Sequence, residues 1–354
     1  MSSAAQSRRV VVVGGTGNIG TSVLEALSAA PEVAGITALS RRAPEDLPAK
    51  VTWHGVDLCG DDLVPHFEAA DAVLNLAWIF QPTRDPIATW RNNVLGALRV
   101  FDAVAAAGVP ALLHASSVAA YSPGPERPVD ERWPTHGWPG AAYSREKAYL
   151  ERVLDSFSRE HPEIRVVRMR NAFCFKPESA SQQRRLFLGP LVPEQLVRPE
   201  MLPVLPALPG LRFQAVHSDD VGDAYRRAVL QEVSGAFNIA ADPVIDNEVL
   251  GEVFGAQRVR TPRVLARTAL AAAWQLRLVP ASPELFDTFM RLPLMDTSRA
   301  RSELGWEPEH SSIDAVRGFL AGLRATEGAP TPPLAPELPG GRAEELATGV
   351  GRRQ

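Results

Sequence analysis

Cysteine is scarce in this chain. Two residues, Cys59 and Cys174, are spread over 354 positions, which gives no disulfide framework and makes a reducing cytoplasm the expected setting. A basic excess is missing as well. The formal net charge is -4, and no Lys/Arg cluster alternates with aromatics, so the electrostatic footprint of a nucleic-acid binder is excluded. Long apolar runs are absent. The N-terminal valine run, Val10 to Val13, ends at glycines, too short for the core of a signal peptide. "VLARTALAAAWQLRLVP" is broken by Arg267 and Arg277 and suits an amphipathic helix better than a membrane span. The seven histidines show no metal-ligand spacing, so no metal is expected. No internal repeat is visible. What remains is ordinary globular composition, 45% hydrophobic, in a chain long enough for one large two-part domain or two domains with real cores.

The first 177 residues alternate β-branched runs with helical patterns, which predicts a doubly wound parallel α/β sheet covered on both faces. The strand candidates are "RVVVV", "GITALS", "VTWHG", "AVLNL", "ALLHAS" and "IRVVRMR". Helical stretches fall near 18–29, 86–107 and 142–160; in the second, Trp90, Val94, Ala97, Phe101 and Val104 recur at helical spacing. Beyond Phe175 the pattern turns irregular. "MLPVLPALPGL" carries three Leu-Pro pairs, which argues against helix and suggests an apolar loop able to line a pocket. "HSDDVGDAYRRAVL" then reads as a capped helix and "GAFNIA" as a strand. The expected division is a dinucleotide-binding Rossmann part at 8–177 and 214–242, a smaller, mostly helical substrate part at 178–213 and 243–324, and a Pro/Gly-rich disordered tail at 325–354.

"VVVVGGTGNIG" places Gly14, Gly17 and Gly20 directly after a strand and at a helix start. Gly14 would permit the tight turn, Gly17 the close approach of a pyrophosphate, and Gly20 the packing of helix on strand; Thr16, Asn18 and Ile19 complete the loop. The helix N-terminus favours the anion. At the end of the second strand, Ser40 stands where an acidic residue would bond a ribose 2′-hydroxyl, and Arg41 and Arg42 follow. A repelling carboxylate is missing and pairing cations are present, which favours NADP(H) over NAD.

In "AAYSREKAYL", Lys147 lies about 40° from Tyr143 around a helix, with Leu150 and Leu154 in the same sector. Both therefore face the protein body, whereas Arg145, Glu151, Arg152, Asp155 and Arg159 are expected on the opposite, solvated side. Together with the glycine loop, this pair resembles the extended short-chain dehydrogenase/reductase superfamily, the NAD(P)-dependent epimerase/dehydratases. The likeness runs from Val10 to about Pro308 and includes "VDL", "LNLAW", "NNVLGALRVFDA", "HASSVAAYS", "FQAVHSDDVGDA" and "MDTSRARSELGWEP".

That resemblance implies a catalytic set of Ser117, Tyr143 and Lys147, with Lys147 also bonding the nicotinamide ribose. It adds Asp57, Leu58, Leu76, Ala77 and Asn93 to the cofactor-binding residues, with Asp57 at the adenine. Ser116, Asn171 and Arg212 become candidates for substrate contact. A nearby ammonium would favour the phenolate of Tyr143, so that it exchanges protons with a substrate oxygen, while Ser117 would steady developing charge. Nucleotide-sugar members carry an arginine where this chain has Phe213, and Arg212 is one residue earlier; in an extended segment that slip turns it to the other face. Arg291 also stands closer to "LPLMD" than the second phosphate-binding arginine usually does. The Leu-Pro loop and "LFLGPLVP" suggest a less polar substrate or an oligomer contact. The resemblance further implies a homodimer through the helices carrying Asn93 and Tyr143, with an apolar stripe of Tyr149, Val153 and Phe157. The leading expectation is an NADP(H)-dependent reductase or dehydrogenase acting on a small molecule. The alternatives are a nucleoside-diphosphate-sugar epimerase or dehydratase holding NAD, and a non-catalytic NADP(H) sensor.

Overall fold

Alternation along the first strand determines how the sheet is buried. Val10 and Val12 point into one core and Val11 and Val13 into another, as a strand buried on both faces requires. The computed structural model describes residues 7–189 and 203–352. Seven parallel strands form the central sheet: β1 (Arg8–Val13), β2 (Val33–Ser40), β3 (Val51–Gly55), β4 (Ala72–Asn75), β5 (Ala111–Ser117), β6 (Arg165–Asn171) and β7 (Gly235–Ile239). Their spatial order is β7-β6-β5-β4-β1-β2-β3. The order reverses beside β1, so the carboxyl ends of β1 and β4 flank a crevice, the place where ligands bind in such sheets.

Helix α1 (Asn18–Ala29) packs on one face with α5 (Ser218–Leu230). Their approach is close, because a Cβ on Gly222 would lie 2.6 Å from the Ser22 carbonyl oxygen. The other face is covered by α2 (Pro86–Trp90), which runs through a π turn at Arg91–Leu95 into α3 (Gly96–Ala106), and by α4 (Ala142–Glu160). The π turn is the detail that helical periodicity hides: it offsets the register by one residue where Asn92 and Asn93 border a cavity.

The two C-terminal motifs meet each other. Trp306, fully buried, donates its indole N–H to the Asp220 carbonyl at 2.8 Å, and the Asp220 carboxylate accepts from the Glu309 and His310 amides at 2.9 and 3.1 Å. A third core, containing Ile245, Val316, Leu320 and Leu323, joins the C-terminal segments to this frame.

Two expectations are corrected here. Part of the Leu-Pro stretch is strand: Val204–Ala207 pairs in parallel with Gln257–Arg260, and among the described residues it contributes nothing to the large cavity beside Tyr143. "PLVP" at 190–193 and Met201–Leu202 lie outside the described residues. The segment expected to be disordered is packed instead. Leu334 and Val350 are buried, Thr331 donates to the Thr16 carbonyl at 2.9 Å, and Glu45 N–H donates to the Pro330 carbonyl at 2.8 Å. The Arg185 guanidinium donates to the Ala335 and Pro333 carbonyls, both at 2.8 Å. A Pro/Gly-rich composition cannot build its own core, but this strap borrows one from the sheet domain.

Candidate active site

The glycine loop has the shape an anion needs. Gly14 has φ +84°, and a Cβ there would lie 2.6 Å from the Ala77 amide nitrogen, so both the turn and the contact exclude a side chain. A Cβ on Gly20 would collide with the Gly14 carbonyl. Gly17 differs. Its φ is -82°, and a Cβ would meet only the Gly14 oxygen at 3.6 Å, so the backbone tolerates a side chain while the space beside it is open. Gly17→Val is therefore expected to keep the fold and weaken dinucleotide binding about tenfold or more, roughly 1.4 kcal/mol, measured by calorimetric titration with unfolding temperature as the control.

The adjoining cavity is lined by Thr16, Gly17, Ser40, Arg41, Arg42, Asp57, Leu58, Leu76, Ala77, Asn93 and, from the strap, Pro333. The Ser40 hydroxyl accepts from the Trp53 indole at 2.9 Å and donates to the Arg42 carbonyl at 3.0 Å. Burial and the neighbouring Arg41 charge both lower the pKa of Arg42. Asn93 borders the cavity, but its amide is committed. It brackets Ile79, accepting at 2.8 Å and donating at 2.9 Å, and donates to Glu146 at 2.7 Å, so its role is to hold the loop after β4. Asn18 likewise ties α1 to the Cys174 carbonyl and to Ser218. Ile19 and Gly20 face the second cavity. These residues, open at Gly17 and narrow elsewhere, fit a dinucleotide.

Beyond Trp78, which lines both, the second cavity holds about 480 Å³. Ser117, from the end of β5, and Tyr143 and Lys147, from the start of α4, meet on its wall. Helix α4 is seated by Ser144, whose hydroxyl donates to the Ala119 carbonyl at 2.7 Å and accepts from the Trp138 amide at 2.6 Å. Burial pushes the Tyr143 hydroxyl up to about 12, against a hydrogen bond with Ser117. Its ring is stacked on Phe80 at 5.1 Å and edge-on to Trp78 at 5.5 Å. Lys147 is 4% exposed. Its ammonium donates to the Ala115 carbonyl at 2.6 Å and lies 3.5 Å from the Trp78 ring centroid. Burial brings its pKa down to about 7, opposed by Glu146 and Glu151.

The profile of the NAD dependent epimerase/dehydratase family matches residues 10–240. The chain belongs to that family. A UDP-glucose 4-epimerase of Azospirillum brasilense is 27% identical over 349 residues, covering 91% of this chain and 94% of that one. An uncharacterised Mycobacterium tuberculosis protein is also 27% identical, and the match spans 60% of its length. In fold, the Thermus thermophilus UDP-glucose 4-epimerase solved with NAD is similar, with TM-score 0.67, 20% identity and coverage of 89% of this chain and 99% of that one. A UDP-N-acetylglucosamine 4-epimerase from Bacillus cereus gives 0.66 at 20% identity, covering 90% and 100%.

Within this epimerase/dehydratase chain, four expectations for side chains change. Ser116 lines the cavity as expected, but its hydroxyl donates to the Glu151 carboxylate at 2.6 Å and belongs to a buried ionic network. Glu151 is 1% exposed and not on a solvated face: lying about 80° from Tyr143 around the helix, it turns inward to Arg170, whose Nε and Nη2 each donate at 2.9 Å, and to Arg168 at 3.0 Å. Arg212 donates to the Glu126 and Pro125 carbonyls at 2.7 and 2.8 Å, away from the cavity, while Phe213 packs on Phe173 and Phe289. Phe157 is buried against Phe101, so it belongs to the core and not to a dimer stripe. Asn171 does border the cavity, its buried amide beside the Tyr225 hydroxyl, which it helps to hold down against the effect of burial. Sequence reasoning missed Trp78 and the phenylalanine walls. Trp78 was findable, since it follows the carboxyl end of β4 at the crevice.

Proposed function

We propose that the chain is an NAD(P)-dependent oxidoreductase that moves hydride reversibly between a nicotinamide cofactor and a hydroxyl or carbonyl carbon, with NADP(H) as the cofactor of a net reduction or dehydrogenation. The observation that carries this reading is the meeting of Ser117, Tyr143 and Lys147 in one cavity that adjoins a glycine loop open at Gly17. Bound nicotinamide would supply the hydride chemistry. Tyr143 gives or takes the proton at its hydroxyl, Lys147 lowers the cost of the phenolate by its charge, and Ser117 bonds the reacting oxygen. Preference for NADP(H) rests on Ser40 in place of a carboxylate and on the adjacent guanidiniums of Arg41 and Arg42 at the cavity edge, the first of which helps to lower the pKa of the second.

The second reading, a nucleoside-diphosphate-sugar epimerase keeping NAD bound, has the support of the relatives, whose names favour it over a net reductase. Phenylalanines in the cavity favour the first. A homodimer through α2–α3 and α4 is part of the proposal, supported by Leu95 and Tyr149, 45% and 42% exposed on those helices.

Nucleotide turnover decides between the two. With the physiological substrate, a reductase consumes NADPH in step with product, whereas an epimerase changes the product ratio at constant nicotinamide absorbance and releases NAD when denatured. The pH dependence follows from Tyr143. With its pKa near 12 the hydroxyl carries its proton at neutrality, so oxidation, which needs the phenolate, is expected to rise with pH by up to about tenfold per unit, and reduction, which draws on the Lys147 charge, to fall above about pH 7, where that ammonium deprotonates. Initial rates in both directions check this.

A further inference from the structure

Resting on the hydride-transfer reading above, we infer that the cavity beyond Tyr143 takes an uncharged, ring-bearing hydrophobic alcohol or ketone, not a nucleoside-diphosphate sugar. Its walls include Phe80, Phe173, Phe187, Phe286, Phe289 and Leu292, brought together from separate parts of the chain. The rings brace one another. Phe80 meets Phe187 edge-on at 5.6 Å, and Phe173 meets Phe289 edge-on at 5.3 Å. Such a lining presents large apolar faces of fixed orientation, which a flat or fused-ring ligand covers while leaving water.

Charge points the same way. A diphosphate in an apolar cavity needs cations or converging N–H donors to replace its hydration. Lys147 is the one charged side chain lining the cavity among the described residues, and it already donates to Ala115 and lies against Trp78. The arginines nearest the expected phosphate positions are engaged elsewhere. Arg212 serves two loop carbonyls, and Arg291 lies over Trp138 and donates to the Asp287 carbonyl. Lys176, beside the cavity, donates to the Thr21 and Ser22 hydroxyls. The polar groups it offers are neutral, among them the hydroxyls of Ser117 and Tyr143, the Asn171 amide beside Tyr225, and Gln182. The matching ligand has a carbonyl or carbinol at its reacting end, a second hydrogen-bonding oxygen, and apolar rings.

The test uses the full chain with two probes, 2-tetralone and UDP-glucose, each with and without NADPH. Expected are a raised unfolding temperature and NADPH oxidation with 2-tetralone, and neither with UDP-glucose. Phe289→Ala is expected to raise KM for 2-tetralone about tenfold or more with NADPH affinity within about twofold of the parent; Leu292→Ala replaces it should that variant fail to fold. Stabilisation by UDP-glucose, or no stabilisation by 2-tetralone, overturns the assignment. Binding of 2-tetralone without NADPH oxidation leaves the ligand class standing and sinks the hydride reading. Epimerisation of UDP-glucose does the reverse.

Discussion

Tyr143→Phe is expected to lower turnover by about 10²–10⁴-fold, roughly 3–5 kcal/mol of transition-state stabilisation, with nucleotide affinity and unfolding temperature nearly unchanged. The ring is held by its faces and edges, against Phe80 and Trp78, and Phe keeps those contacts. What is lost is the hydroxyl, whose partner is Ser117. Adding Lys147→Met is expected to lower the rate by far less than the product of the single effects, because residues acting as one unit are not additive. Steady-state rates and nucleotide titration on the same preparations check both statements. An unchanged rate in Tyr143→Phe places the proton donor elsewhere; a cofactor sensor would show no rate to lose.

The second large effect is on stability. Glu151→Ala is expected to destabilise the fold by about 3–5 kcal/mol, read from the denaturant midpoint, because it leaves Arg170 buried without its counter-charge. Arg170 also donates to the Tyr121 hydroxyl at 2.9 Å, and Tyr121 donates to Asn238 at 2.7 Å, so the disturbance reaches β7. Replacing Glu151 and Arg170 together by Met is expected to recover most of the loss, since neither charge is then left alone. Burial alone would raise the Glu151 carboxyl, but Arg170, Arg168 and Ser116 hold it down to about 2. A depressed acid contributes its stability above the unfolded value of 4.5 and loses it as pH falls toward 2. Acid unfolding of the parent is expected in that window, and Glu151→Ala is expected to flatten that part of the profile.

Much of this architecture is legible in the sequence. Strands buried on both faces read as near-continuous apolar runs, and the valines of "RVVVV" are one. The loop was legible because Gly14, Gly17 and Gly20 each answer a separate steric demand. The cavity walls were not. Phe80, Phe173, Phe187 and Phe289 lie on four segments, and no periodicity within any one says that their rings converge. Glu151 misled because its charge argued for water although its angle around the helix lies near that of Lys147; its partners, Arg168 and Arg170, are on β6. The tail misled because composition reports whether a segment can fold alone, not whether another surface accepts it.

That tail has a thermodynamic consequence. Thr331 grips the carbonyl of Thr16 across 315 positions of sequence, and Pro333 borders the same crevice as the glycine loop. A guest seated there shares its enclosure with the chain's own C-terminal arm. By reciprocity, a guest that binds more tightly with the arm in place is expected to suppress fraying of the arm, and a frayed arm to weaken the guest's affinity by the same factor. The strap through Thr331 and Pro333 thereby becomes a gauge of occupancy at the glycine loop.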